Sequence, residues 1–358
     1  MKLIRTEDAV GQVLCQDMTQ IVMGGTDKDG KPQKSFKGPR FRKGHVVQPE
    51  DIPVLLSMGK EHLYVWEIQE GMLHEDDAAR RMAALCLGSN TRASGEPKEG
   101  KIGINAACDG VFLVDTKRLN AVNSVDQVVI ATCHGNFPVN KGDSLAGTRV
   151  IPLVIDEKLV ERAEQAADVA HQGALMRVAP YRVKTAAMIA TGSEIKKGLI
   201  EDKFTPVVER KLAEYGVKTV SVVKPGDNMD DLVRAIADAR HLKVDMIVCT
   251  GGMSVDPDDN TLGAIKHAGA RIVMYGAPVL PGAMLCLGYF DTQDGGDPTP
   301  IIGLPGCVMY NKATVFDLVL PRLAARVPLM KQDFVTMGEG GLCLYCEPCT
   351  YPVCPFGK

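Results

Sequence analysis

The stretch DMIVCTGGMSVDPDDNTLGAIKHAG, residues 245–269, decides the fold. A short apolar run ends in two glycines, an aspartate-rich turn follows, and TLGAIKHAG then has helical spacing. A near-continuous apolar run of this length, bounded by turn residues, reads as a strand buried on both faces. Strand, glycine turn and helix together are the repeating unit of a parallel sheet.

The same unit recurs on either side. KTAAMIATG (184–192) is a strand ending in glycine, and VKTVSVVKPG (217–226) is another. Between them FTPVVERKLAEYG (204–216) is predicted helical, with Thr205 as N-cap, Pro206 at the first position and Gly216 as terminator. Its apolar residues Phe204, Val207, Val208, Leu212 and Tyr215 share one face. NMDDLVRAIADARH (228–241) is the next helix, with Leu232, Ala235, Ile236 and Ala239 inward. ARIVMYGAP (270–278) is a fourth strand. The expected fold class is α/β: a parallel-sheet, three-layer α/β/α domain over 180–330, with ligands at the carboxyl ends of the strands.

Upstream the pattern is different. Residues 1–66 hold short apolar runs around a polar loop (GGTDKDGKPQKSFKGPR, 24–40) and are expected to form a small β-rich domain. Residues 67–179 mix strands (VFLVD, QVVIATC, TRVIPLVID) with helices at 71–87 and near 156–172, an α+β region. Residues 331–358 form a cysteine-rich tail.

The 358 residues include 45% apolar and 24% charged residues, with a formal net charge of −3. That balance argues against a nucleic-acid or anionic-membrane surface. No apolar run approaches the ~20 residues that span a bilayer. The N-terminus, MKLIRTEDAV, carries charges where a signal peptide needs an apolar core, so the expected address is the cytoplasm.

Three strand ends carry polar groups: Thr191 to Glu194, Pro225 to Asn228, and Thr250 to Asp259. Gly251 and Gly252 let backbone N–H groups approach a phosphate closely. Glu194, Asp227, Asp256, Asp258 and Asp259 would face the same cleft. An anion and several carboxylates share a cleft comfortably only with a cation between them, and oxygen-only ligands favour Mg²⁺. Taken singly, each acid serves equally well as a helix cap.

KTAAMIATGSEI, TGGMSVDPDDNT and GLPGCVMYNKATVFDLVLPRL, over about 184–326, resemble the molybdenum-cofactor biosynthesis domain, which binds the phosphate-bearing pterin dithiolene molybdopterin. The order of motifs is similar to that of the MoeA/gephyrin E-type molybdopterin molybdenumtransferase family, with its TGDEL, GGVSVG-x-x-D and GLPGNP. AVGQVLCQDM (9–18) resembles that family's opening A-x-GR-x-L-A-x-D. The resemblance implies an enzyme that inserts molybdate (or tungstate) into adenylated molybdopterin with Mg²⁺, and a homodimer. It puts the TGDEL acid on Glu194, the last motif aspartate on Asp259 and the GLPG turn on Gly303, Leu304, Pro305 and Gly306. Thr250, Gly251, Gly252 and Ser254 complete the candidate cofactor-binding residues, and Asp227, from its place at a strand end, joins Glu194 and Asp259 as a candidate catalytic acid. Leu280-Pro281-Gly282-Ala283-Met284 stands where the family has K-P-G-K-P, so both lysines are replaced. The S-A-M-D-G-Y-A motif and the final β-rich domain are not seen. A non-catalytic carrier or sensor that docks on a client metalloenzyme, and a CinA-like nucleotide pyrophosphate hydrolase, are the alternatives.

Of eleven cysteines, seven are scattered and read as small buried hydrophobes. The other four, Cys343, Cys346, Cys349 and Cys354, have the spacing C-x₂-C-x₂-C-x₄-C-P. Thiolates so close in sequence suit one metal centre, either an iron–sulfur cluster or Zn²⁺, unless the tail is merely thiol-rich and flexible.

Overall fold

The computed structural model describes every residue except 1, 23, 27–31, 34, 66–69, 193–195, 197, 200, 254–258 and 293–294. It divides into two compact units. The first comprises residues 1–105, 115–133 and 144–176, and the second 106–114, 134–143 and 177–358.

In the first unit Lys2–Arg5 pairs antiparallel with His62–Val65, and Met18–Val22 with Phe36–Phe41. Leu14, Met18, Phe41, Val47, Leu55 and Leu63 are buried together between them. A four-stranded sheet orders Val128–Thr132, Ser144–Val150, Lys101–Ala106 and Thr91–Ala93. The helix expected at 71–87 is shorter, Glu75–Ala84, because Met72–His74 is a strand and the His74 ring accepts the N–H of Asp76 as its cap. Arg81 on that helix reaches both Glu157 (2.7 Å) and Glu164 (2.6 Å) on the helix Glu157–Ala167.

The second unit is built on a six-stranded sheet. Its strands are β1 (Thr185–Ala190), β2 (Lys218–Val223), β3 (Met246–Thr250), β4 (Arg271–Tyr275), β5 (Cys286–Phe290) and β6 (Thr299–Leu304). The order across the sheet is β2-β1-β3-β6-β5-β4. β2, β1, β3 and β6 run parallel, whereas β5 is antiparallel to both β6 and β4. The sheet is therefore mixed, which corrects the all-parallel expectation. β5 and β6 were not anticipated, and the strand fourth in sequence lies at the far edge of the sheet. β2 is the other edge, and Val220 and Val222 along it are exposed.

Alternation along the strands sorts side chains to opposite faces. Ala186, Met188, Met246, Val248, Ile302 and Leu304 pack with α1 (Phe204–Ala213) and α4 (Val315–Ala324). Ala187, Ile189, Ile247, Cys249 and Ile301 pack with α2 (Met229–His241) and α3 (Thr261–His267). The residues expected inward on α2 are the ones buried there. The cap of α1 is not Thr205, which lies inside the helix. The Asp202 carboxylate instead accepts N–H of Phe204 (3.1 Å) and Thr205 (3.0 Å) and the Thr205 hydroxyl (2.7 Å).

Across the α4 face, the buried Lys211 ammonium bonds the Asp317 carboxylate and the Lys312 carbonyl. Asp317 also accepts the N–H and hydroxyl of Thr314, closing the capping box that starts α4.

Candidate functional site

Because β2, β1, β3 and β6 are adjacent and parallel, their carboxyl ends meet along one edge. Ala190 is in register with Thr250, and Thr250 with Leu304. The chain therefore leaves the sheet side by side at Thr191–Gly192, Lys224–Asn228, Gly251–Gly252 and Pro305–Gly306.

The corner after β3 is the most constrained. Thr191 donates its N–H (2.8 Å) and its hydroxyl (3.0 Å) to the Thr250 carbonyl. The Thr261 hydroxyl, on the first residue of α3, donates to the Gly251 carbonyl at 3.0 Å and lies 3.5 Å from the Thr191 hydroxyl. All three threonines are buried. Gly251 and Gly252 have φ of +84° and +58°, in the left-handed region. A Cβ on Gly251 would stand 2.7 Å from Thr191 Oγ1, and one on Gly252 would collide with Thr261 Oγ1. Both the backbone conformation and the space exclude a side chain there. Gly303 is different. It lies inside β6, where Met253 covers it, and a Cβ would stand 2.6 Å from the Met253 sulfur. That packing accounts for the glycine. Gly306, by contrast, has nothing within 4 Å of where a Cβ would be and opens the turn beyond Pro305.

The loops are cross-tied. The Asn260 amide donates to the Asp227 carbonyl at 3.0 Å. Lys196 pairs with Asp231 at 3.2 Å, and its side chain lies over Gly226. Asn228 caps α2, accepting N–H of Asp230 (3.0 Å) and Asp231 (3.2 Å). Asp227 and Asp259 are both half-buried at this edge. Glu194 and Ser254, with Asp256 and Asp258, lie outside the described residues. Below the corner, burial pushes the Cys286 thiol up to about 12 and raises that of Cys249 further, so these are inert packing groups.

Asn228 belongs to one of the polar strand ends read from the sequence, whereas Thr261 and Asn260 were not singled out there. An Asn before a helix is a capping signal, but no local pattern reveals that a threonine ten residues downstream will lock a glycine carbonyl.

Among the described residues, no group of three or more His, Cys, Asp or Glu side chains is arranged to hold a single metal ion. Asp227 and Asp259 alone are too few for a protein cage. Two carboxylates do suit Mg²⁺ held jointly with ligand phosphate oxygens and water. The four tail cysteines line one cavity. No helix among the described residues is long and apolar enough to cross a membrane.

Residues 3–67 match a family described as a domain of unknown function, and residues 187–325 match the family described as a probable molybdopterin binding domain. The second stretch is a domain of the molybdenum-cofactor biosynthesis type. Among curated proteins, the chain is 34% identical over 92 residues to a CinA-like protein of Thermosipho melanesiensis, covering 25% of this chain and 23% of that protein. It is 30% identical over 95 residues to a probable FAD synthase of Caenorhabditis briggsae, covering 26% of this chain and 18% of that protein. It thus spans less than a quarter of the length of these relatives. Among solved structures it aligns with a putative molybdenum cofactor biosynthesis protein from Corynebacterium diphtheriae at 18% identity and a TM-score of 0.32, covering 41% of this chain and 99% of that one. The tungsten cofactor synthesizing protein MoaB from Pyrococcus furiosus aligns at 17% identity and a TM-score of 0.31, covering 41% and 90%.

Proposed function

We propose that the carboxyl edge of β1, β3 and β6 binds molybdopterin or its adenylated form, and that the chain inserts molybdate or tungstate into it in molybdenum-cofactor biosynthesis. The observation that carries this reading is the locked Gly251–Gly252 corner, at the carboxyl ends of adjacent parallel strands, inside the stretch that matches the molybdopterin-binding family. The helix clusters on opposite faces of the sheet support a three-layer α/β/α form for that stretch.

In this reading the backbone N–H groups of Gly251, Gly252 and Gly306, in the turns that follow Thr250 and Pro305, take the phosphate end, with Gly303 behind. Asp259, Asp227 and Glu194 hold Mg²⁺ against ligand oxygens. The ion supplies charge neutralisation between the phosphate and the incoming oxyanion. The protein's own part is positional: a corner rigid before binding loses little entropy on closing around the ligand.

The test is anaerobic titration of the full chain with molybdopterin. Asp259→Ala is expected to weaken binding at least tenfold while leaving the fold intact, and unchanged binding would count against the assignment. Incubation of the wild type with adenylated molybdopterin and molybdate is expected to release AMP and yield loaded cofactor.

Two observations favour other readings of the same edge. Residues 280–284 contain no lysine, and the backbone of Leu280 is instead bonded to Gly341 and Cys343. That favours a carrier, for which the titration shows tight binding without turnover. The CinA-like relatives favour a nucleotide pyrophosphate hydrolase. Release of AMP from ADP-ribose, without dependence on molybdate, would establish it.

A further inference from the structure

The segment GLCLYCEPCTYPVCPFGK (341–358) is a closed lobe fastened to the second unit rather than a loose tail. Leu280 donates its N–H to the Gly341 carbonyl and accepts that of Cys343, both at 2.8 Å. The far end returns to the start, with Gly357 N–H on the Gly340 carbonyl at 3.0 Å. Phe356 is buried in the α4-side core, its ring 6.3 Å from that of Tyr351, and the Tyr351 hydroxyl donates to the Asp317 carbonyl at 3.0 Å.

Within this lobe Cys343, Cys346, Cys349 and Cys354 line one small, partly open cavity of about 30 Å³. The other seven cysteines are elsewhere. Tyr351, Phe356 and aliphatic groups complete the wall, and among the described lining residues there is no carboxylate, imidazole or ammonium. A set of thiols in an apolar wall selects a soft metal centre. Structural Zn²⁺ sites usually draw their thiolates as pairs well separated in sequence, whereas these four lie within residues 343–354 and line one cavity. The sequence agrees: C-x₂-C-x₂-C-x₄-C-P is one residue longer than the ferredoxin run C-x₂-C-x₂-C-x₃-C-P. In two-cluster ferredoxins the fourth cysteine of that run serves the other cluster. Here Cys354 faces the same cavity as the first three, so one cluster takes all four.

We propose that the C-terminal lobe holds a single iron–sulfur cluster through Cys343, Cys346, Cys349 and Cys354. Each thiol gives its proton to solvent as its sulfur replaces, on one iron of the incoming cluster, a ligand supplied by the cluster donor; that ligand leaves with the donor, and no iron changes oxidation state in that step. This site is independent of pterin binding.

The test uses the full chain, produced and purified anaerobically, with iron, acid-labile sulfide and zinc measured per chain. About four irons and four sulfides are expected, with broad visible absorption that bleaches on reduction. One zinc without sulfide, or neither metal, overturns the proposal. Cys346 is exposed, so Cys346→Ser should fold as the wild type does by circular dichroism and lose at least half of the iron. Full retention of iron and sulfide in that variant overturns the ligand assignment. Cys133→Ser, an exposed cysteine of the first unit, should keep its iron. Asp259→Ala should keep it too, which separates failure of this proposal from failure of the pterin reading.

Discussion

The Gly251–Gly252 corner and the cysteine lobe belong to the same compact unit but are built by different means. The corner is held by the sheet itself: β1, β3 and β6 place Thr191, Thr250 and Leu304 side by side, and buried hydroxyls fix the glycine backbone between them. The lobe is docked from outside by backbone bonds to Leu280 and by two aromatic anchors. A site made of strand ends is rigid because the ladder cannot shift without losing register. A docked lobe is only as firm as its few fastenings, and it can open without unfolding the sheet.

Breaking the foundation common to both regions should have the largest effect. Lys211 and Asp317 form a buried pair beneath α4, with side chains 6% and 11% exposed. Asp317→Ala leaves the ammonium unpaired and removes the capping box, so a loss of about 3–5 kcal/mol in denaturant unfolding is expected. A loss below about 1 kcal/mol would show the pair to be solvated in solution.

Next is a change confined to the corner. Gly252→Ala combines a left-handed φ with a collision against Thr261 Oγ1, and should cost about 2 kcal/mol together with pterin binding. Adding Thr261→Ala relieves the collision and should restore part of the stability; if it restores none, the φ strain alone is responsible. On the lobe side, Tyr351→Phe should cost about 1 kcal/mol. It should also speed proteolysis within 341–358 while pterin affinity stays unchanged.

The smallest effect concerns pH. Burial alone would raise the Asp202 carboxyl, but the N–H and hydroxyl of Thr205 and the Lys224 ammonium overcome it and hold it below the usual carboxylate range. A lowered folded pKa stabilises above the unfolded value, about 4, and that contribution is lost as pH falls through the folded value. Asp202→Asn should therefore flatten the acid limb of the stability curve below about pH 4 and leave the neutral region shifted only by the lost ion pair.

The legible parts of this molecule share a property. The strands at 185–190, 218–223 and 246–250 and the inward face of α2 follow from periodicity among near neighbours, and the glycine pair announced its own turn. The misreadings were also local. Thr205 has the right chemistry for a cap, but the helix begins one residue before it, and Asp202, three residues earlier, takes the N–H groups of Phe204 and Thr205 with a full charge. Cys286–Phe290 is a short apolar run whose direction no periodicity encodes, so the antiparallel strand was missed. The cysteine spacing pointed to one metal centre, but not to the Leu280 backbone that fastens its lobe.

By itself, then, the sequence determined the alternation of strands and helices in the second unit, the glycine corner and the grouping of four cysteines, because each depends on residues close along the chain. Only the tertiary structure decided the strand order, the mixed sheet, the threonine clamp on Gly251 and the use of Leu280 to anchor the tail. Those features join residues tens of positions apart, from Thr191 and Thr261 to Leu280 and Cys343. Their stability comes from burial and hydrogen bonds that exist only once the sheet has formed, so no stretch of sequence carries them alone.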